Sequence, residues 1–394
     1  MLLDKPFPPD PRVANESRSL VGAGHRVFLF CLNLGGAPAR ETIDGVEIVR
    51  HPISRAFWKK ASALILTVPA YRLWFRSRLP GFLRENGIQA LHVHDLPLVG
   101  EGLRAARAAG IPLVADLHEN YPAAVRLYAW ANRWPGRWLV DPRRWDAYEK
   151  RVLPQADRII VVIEEARARL ADLGIGLDPA RIAVVENTVQ VEEFEGFPRD
   201  GALTERLARS FTVTYLGTFD RHRGLEAAID ALALVRQALP DARLVLVGAG
   251  AIEGELRRRV DALGVADRVD FEGWQPFSRF PSYVRGSSVC LIPHRKSPHT
   301  DATIPHKLFH YMLLERPVLA TDCAPIARIV RETNAGLIFP SGDAAALARA
   351  LLELRDAHRR RAMGEAGRRA VLARYRWDIT AERLIALYAG LATG

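Results

Sequence analysis

The sequence predicts an α/β protein of two doubly wound domains facing a central cleft, and three observations lead there. Short apolar runs such as Leu113–Leu117, Ala242–Val247 and Val289–Ile292 alternate with helix-length segments along the chain, the pattern of β-α-β units and a parallel sheet. At 394 residues the chain exceeds one ordinary core and suits two. Between Val189 and Ser210 periodicity lapses among acidic, Gly and Pro residues, which marks a linker, placed at 191–211. The expected domains are therefore 1–190 and 212–375.

Composition narrows the class. Hydrophobic residues at 49% and charged residues at 25% describe a soluble globular protein and exclude a disordered one. Cys31, Cys290 and Cys323 are odd in number and scattered, which argues against a disulfide framework or a zinc site and fits a reducing cytosol. No stretch reaches the ~20 apolar residues of a membrane span, and MLLDKPFPPDPR lacks the layout of a signal peptide, so a cytoplasmic protein is expected. The net charge of +10 calls for an acidic partner: nucleic acid, anionic lipid or phosphorylated metabolites.

In chain order, residues 1–5 offer only a strand stub. The Pro-rich turn Phe7–Pro11 leads to a helix at Arg12–Leu20 and a strand at Val27–Leu32. Such a unit makes a parallel pair with a right-handed crossover, and ligands bind at the carboxyl end of its first strand. No glycine-rich phosphate loop stands there, and Gly35-Gly36, after the second strand, reads as a turn. After a strand at Val46–Arg50 comes Arg55–Arg84, rich in Lys and Arg, with Trp58, Trp74 and Tyr71 and no acidic residue. One reading is a helix burying its rings in the core. The other sets rings and aliphatic stems at the headgroup level of an anionic membrane. A second basic stretch, Val125–Arg151, with Trp130, Trp134, Trp138 and Trp145 among Arg126, Arg133, Arg137, Arg143 and Arg144, favours the membrane surface. No nucleic-acid module accompanies these stretches, so nucleic acid is not expected as a partner.

Between the two, the strands Ala90–Asp95 and Pro112–Glu119 end in polar residues. His94, Asp95, His118 and Glu119 thus fall on the edge where open α/β sheets bind ligands. An acid beside a histidine at two successive strand ends favours a functional His118 over a merely structural one. Strands Ala156–Ile163 and Ala183–Asn187 complete this half.

The second half opens with strand Thr212–Leu216 and Gly217-Thr218, then a helix to Leu239, strand Ala242–Val247 and Gly248-Ala249-Gly250. Helix Ile252–Leu263, Val269–Phe271 and a helix near Phe280 follow. Strand Val289–Ile292 then opens on a polar loop that runs to an apolar helix with Leu308, Tyr311 and Met312, before strand Pro317–Ala320. A polar loop closing on a helix start between two strands is a ready anion site, because backbone N–H groups there lack partners.

Taken together, PPDPRVANESRSLVGAGHRV, HVHDLPLVG, IPLVADLHENYP, ADRIIVVIEEA, IAVVENTV, VTYLGTFDRHRGLEAAIDAL, ARLVLVGAG, VDFEGW, SSVCLIPH, TIPHKLFHYMLLERPVLATD, NAGLIF and RYRWD resemble, in that order, the retaining GT-B glycosyltransferases of family 4. The resemblance implies two Rossmann-like domains and transfer of a sugar from a nucleotide diphosphate sugar, with no metal or other cofactor. It also implies that residues 376–394 return to the first domain as a helix, with Trp377 packing.

The residues it implies fall on both halves. His118 matches the histidine near the donor sugar and acceptor nucleophile, with Asp95 and Glu119 as weaker acceptor-side candidates. On the donor side stand Gly217, Thr218, Arg223, Gly248, Thr303, Ile304, Pro305, Lys307 and His310. Fixed cations must meet the negative charge of a departing nucleoside diphosphate. Arg223 stands where the family usually has Lys, and Thr218 stands where it often has Arg, so Lys307 is the expected substitute cation. The family's paired glutamates fall on Ala302 and His310. Asp301 is then the candidate for the sugar-facing catalytic place, and His310 for a ribose contact.

The resulting expectation is a hexosyltransferase that uses a UDP- or GDP-linked sugar and a lipid-linked or oligosaccharide acceptor, in envelope or exopolysaccharide synthesis. It would lie peripherally at the anionic inner face of the cytoplasmic membrane. A nucleotide-sugar epimerase or hydrolase and a non-catalytic nucleotide-sugar-binding subunit are the alternatives.

Overall fold

A computed structural model describes residues 1–127, 134 and 136–391. Trp130 and Arg133, the side chains of Arg137 and Trp138, and the last three residues of the expected C-terminal helix lie outside the described residues. The chain divides into two compact units: Met1–Glu186 together with the residues from Thr380 onward, and Asn187–Ile379.

The first unit is a sheet assembled around its own first residues. Strands β1 (Phe28–Asn33), β2 (Arg40–Ile43) and β3 (Val46–Pro52) pair in the order β1-β3-β2, and β4 (Leu91–His94), β5 (Leu113–Leu117), β6 (Arg158–Val161) and β7 (Ile182–Val184) pair in sequence order. Leu2 joins the two groups through parallel bridges to Phe30 and Val93. Its N–H donates to the His92 carbonyl at 2.7 Å, and its carbonyl accepts from the His94 N–H at 3.0 Å. The strand order therefore reverses beside residues 1–3, and the carboxyl ends that meet there carry Lys5, Asp95 and His118. Helix Pro11–Gly22 begins with Pro11 behind an Asp10 cap, whose side chain accepts from the Val13 N–H at 3.2 Å.

Residues 55–84 are not one amphipathic helix. Pro69 and Pro80 lie at the breaks and starts of three short ones, Arg55–Ala63, Ala70–Arg76 and Leu79–Glu85. Tyr71, Phe75, Phe82 and Leu83 are buried, with Tyr71 and Phe75 edge to face at 5.0 Å. Much of the aromatic content therefore serves the core, while Arg55, Lys59, Lys60, Val68 and Leu73 stay exposed.

The second unit is one parallel sheet of six strands: β8 (Phe211–Leu216), β9 (Ala242–Val247), β10 (Val269–Gly273), β11 (Val289–Ile292), β12 (Val318–Thr321) and β13 (Gly336–Phe339), in the order β10-β9-β8-β11-β12-β13. The order reverses between β8 and β11, which makes the ground beyond their carboxyl ends the natural ligand crevice. Residues 191–211, expected as a linker, form helices Val191–Gly196 and Gly201–Ala208 within this unit. The physical reason is local: Leu203 and Leu207 share one buried face, and the Asp200 side chain caps the second helix by accepting from the Leu203 N–H at 3.0 Å.

Two glycines shape the crevice. Gly217 follows β8 and Gly248 follows β9, at φ +140° and +141°. A Cβ on Gly248 would lie 1.9 Å from the Gly217 carbonyl oxygen, so the two strand ends approach as closely as only glycine permits. Gly248→Ala is expected to lower stability by about 1–3 kcal/mol through backbone strain. Urea unfolding measures this, and an unchanged midpoint would mean that the strand ends separate at no cost.

Candidate active site

In the second unit, the residues beyond β8 and β11 converge on two basic side chains that, among the described residues, have no carboxylate partner. Lys307 opens helix Lys307–Leu313, and its ammonium lies 4.1 Å from the Tyr215 ring centroid, against the backbone of Gly217. Arg223 closes the turn Arg221–Arg223 and sets its Nη1 3.0 Å from His294 Nε2, just past β11. Among the described residues neither cation pairs with a carboxylate. Burial, then the Arg223 charge, holds the Lys307 ammonium well below its ordinary value. The same two causes bring His222 down to about 4, and burial with Arg223 and Lys307 keeps His294 neutral. A guanidinium and a buried amine with no carboxylate counter-ion among the described residues, beside neutral imidazoles, form a site that an anion would complete.

The first unit carries the other cluster, and it is satisfied rather than waiting. Asp116, fully buried in β5, accepts from Arg12 Nη2 at 2.7 Å and Arg12 Nε at 3.1 Å. Its Oδ2 also takes His118 Nε2 at 2.7 Å and lies 3.0 Å from His94 Nδ1. On the other side of His118, Nδ1 faces Asp95 Oδ2 at 3.6 Å, and Lys5 Nζ reaches the same Asp95 oxygen at 3.3 Å. Burial pulls the His118 pKa down, but Asp95 and Asp116 outweigh it and carry it up to about 9. Glu16, His92, His94 and Asp116 offer atoms within 4.8 Å of one another, close enough for a metal ion. Asp116 Oδ2 is already occupied by N–H donors, however, and the Arg12 charge sits between the two carboxylates, so the cluster is a hydrogen-bonded charge network.

The model of the family described as Glycosyltransferase Family 4 matches residues 12–193, and that described as Glycosyl transferases group 1 matches residues 210–356. The chain belongs to the family 4 glycosyltransferases, with the GT-B fold. A phosphatidyl-myo-inositol mannosyltransferase of Mycobacterium leprae is 26% identical over 325 residues, covering 80% of this chain and 77% of that one. A D-inositol 3-phosphate glycosyltransferase of Thermomonospora curvata is 29% identical over 378 residues, covering 90% and 83%. Among solved structures, Anabaena HepE in complex with UDP superposes with a TM-score of 0.73 at 14% identity, covering 99% of each chain.

The expected residues of this glycosyltransferase fare differently. Gly217, Gly248, Arg223 and Lys307 gather at the carboxyl edge of the second unit's sheet. Thr218 is exposed there and lends its carbonyl to the Tyr215 hydroxyl at 2.9 Å. Thr303 and Pro305 are half-buried and Ile304 buried, in the segment that leads into Lys307. Asp301 has one carboxylate oxygen engaged. Its Oδ1 accepts from the Ala324 N–H at 2.7 Å, and so caps helix Ala324–Thr333. His310 stacks on Phe194 with ring centroids 4.2 Å apart, and burial with the His306 and Lys307 charges lowers it to about 3. Asp95, at φ +67°, and His118 lie together, while Glu119 follows His118 half-buried. Lys5, Arg12, Glu16, His92, Asp116 and His294 were not singled out by sequence. The available signals were a carboxylate inside the apolar run Leu113–Leu117 and a His92/His94 alternation that puts both rings on one face of β4.

Breaking the Arg12–Asp116 pair leaves a buried charge alone, so Arg12→Ala is expected to cost about 3–5 kcal/mol in urea unfolding. Stability should also fall on the acid side. His51, His222 and His310 sit at about 4, 4 and 3 when folded against 6.5 as the ordinary value. The unfolded chain then binds more protons, and stability present above pH 6.5 is lost as pH drops towards 4. Glu16, His118 and Asp4, raised to about 8, 9 and 6, oppose this, but His92, His94 and His294 are lowered too, so six histidines act against three groups. Thermal unfolding at pH 7 and pH 5 checks the sign, and a higher Tm at pH 5 would contradict it.

Proposed function

We propose that this glycosyltransferase moves a hexose, with retention at the anomeric carbon, from a UDP- or GDP-linked sugar bound by the second unit to a lipid-linked or oligosaccharide acceptor bound by the first. The observation that carries the reading is the pair Arg223 and Lys307, two cations without a carboxylate beside the Gly217 backbone. A departing nucleoside diphosphate leaves at least two negative charges, and these two groups stand ready to neutralise them, so no metal ion is required. His118, held charged at the first unit's edge, is the group we place near the transferred sugar and acceptor hydroxyl. The names of the two bacterial relatives speak of inositol-bearing acceptors and of a phosphatidyl lipid, which supports a lipid-linked acceptor and a role in envelope or exopolysaccharide synthesis. HepE was solved with UDP, which supports a nucleotide-linked donor.

A peripheral position at the inner face of the cytoplasmic membrane completes the proposal. Among the described residues no helix is long and apolar enough to cross a bilayer. The two basic stretches meet where the Thr67 hydroxyl donates to the Leu139 carbonyl at 2.6 Å. Around them, Leu73, Trp134 and Leu139 are 52%, 80% and 38% exposed, with Lys59 and Lys60 nearby in sequence, a combination suited to an anionic surface.

A thermal-shift screen of UDP, GDP, ADP and their sugars tests the donor reading, since a bound ligand raises Tm by mass action. Arg223→Ala and Lys307→Ala should each weaken the stabilising nucleotide by about 10- to 100-fold, because a hydrogen bond to a charged group is worth about 1.5–3 kcal/mol. A screen in which no nucleotide stabilises the protein would remove the donor assignment. For the membrane, replacing Lys59 and Lys60 with Glu should cut binding to anionic vesicles at low salt by more than about tenfold, at about 1 kcal/mol per basic residue near the surface. Equal sedimentation of both proteins would refute that surface.

A further inference from the structure

The buried network of the first unit contains two carboxylates around one guanidinium, and they are treated unequally. Arg12 Nη2 lies 2.7 Å from Asp116 Oδ1 and 2.8 Å from Glu16 Oε1. Asp116 collects a second Arg12 contact and two imidazole contacts besides. Glu16, also fully buried, has no properly directed hydrogen bond to either oxygen. Its Oε2 lies 3.5 Å from His92 Nε2 and 3.9 Å from His94 Nδ1. Arg12 is shared between two neighbouring buried carboxylates, and the one that collects more N–H donors keeps its charge.

We propose that Asp116 is a positioning residue that stays ionised and fixes His118 as an imidazolium between itself and Asp95, while Glu16 carries a proton and acts as a neutral filler. This rests on the reading of the first unit's strand edge as the side where transfer occurs. The ring geometry gives it content. With Nε2 2.7 Å from Asp116 and Nδ1 3.6 Å from Asp95, both nitrogens of His118 face acceptors and both carry hydrogen. His118 therefore serves the reaction as a fixed positive charge, not as a base that collects the acceptor's proton. Arg12, His94, Lys5 and Asp4 are the other titratable groups around it. Around Glu16 stand Arg12 on its own helix, His92 and His94 on β4, Asp116 on β5, His118, and Tyr388 of helix Trp377–Ala389. Tyr388 closes the network from outside, its hydroxyl 2.8 Å from His92 Nδ1. The charge balance agrees: burial pushes Glu16 up to about 8, while Arg12 and the His118 charge overcome burial to hold Asp116 well below the carboxylate range.

The test needs no substrate, so its failure is separable from failure of the donor or acceptor reading. Full-length protein labelled with 15N-histidine is titrated from pH 5 to 10, with His118→Gln used to assign the His118 ring. The wild type should show both ring nitrogens protonated at pH 7, and so should Glu16→Gln, the isostere of a protonated Glu16. In Asp116→Asn the ring should lose its proton at least tenfold more readily. Thermal unfolding supplies a second readout that does not depend on the Asp116 variant folding. Charging a buried Glu16 removes stability as pH rises from about 4.5 to about 8, so the Tm advantage of Glu16→Gln over wild type should widen across that interval. A neutral His118 ring at pH 7 in the wild type would overturn the proposal. So would a Glu16→Gln advantage that stays constant with pH, or a stoichiometric metal ion found in the purified protein by elemental analysis.

Discussion

The pair between Arg12 and Asp116 is the constraint on which the first unit's edge depends. It joins the helix after the first strand stub to the middle of β5, across 104 residues of chain, and both partners are almost wholly removed from water. Burying such a pair costs several kcal/mol per ion, recovered only when geometry is good and remaining lone pairs are satisfied. Here two guanidinium contacts and two imidazoles do that for Asp116. The pair thereby orients every polar group at the strand ends: His94 behind it, His118 in front, and Asp95 and Lys5 beyond. Its return is specificity of arrangement more than stability, since an apolar core of the same volume would cost less.

The second unit solves the opposite problem. Its strand-end basic groups lack carboxylates among the described residues: Arg223 and Lys307 face each other's field with neutral imidazoles around them, and burial depresses the Lys307 ammonium. A folded protein tolerates such repulsion where a ligand relieves it, and on the proposed function the cost in the free enzyme would reappear as affinity for a dianion. On the proposed function, the two units would divide the electrostatics of group transfer. One holds a charge rigidly through internal partners, and the other leaves its basic groups without a carboxylate.

Much of the fold was legible because it depends on local pattern. The strands from Thr212 to Ala320 announce themselves as apolar runs between Gly and Pro, and family resemblance supplied their order. The helices within 191–211 are not legible because charges and glycines there mask a short amphipathic turn anchored by Leu203 and Leu207, which only tertiary burial makes a helix. The stretch 55–84 was half legible: its basic surface is real, but rings such as Tyr71 and Phe75 belong to the core. In the candidate site, Arg223 and Lys307 were nameable from motif positions, and the structure brings them to one strand edge. The helix-cap role of Asp301 was not, since it is set by Ala324, far along the chain. Arg12 with Glu16, and His92 with Asp116, were also hidden, because each acquires meaning only from partners on other strands and helices.

His310 suits the same electrostatics. His310 lies close enough to Lys307 for that charge to depress it, and it is stacked against Phe194 and near Phe277, at 4.2 and 5.4 Å. A carboxylate at this place would sit in an aromatic setting that penalises charge, and it would draw Lys307 into an ion pair. A neutral imidazole does neither. It leaves the ammonium directed at Gly217 and Tyr215, where a diphosphate would meet it, and keeps a donor or acceptor for a hydroxyl. With Asp301 committed to a helix cap and Ala302 apolar, no carboxylate from this loop competes with the diphosphate for Lys307. The lack of a carboxylate beside Lys307 among the described residues is therefore consistent with the proposed donor site, which would concentrate positive charge on the leaving group.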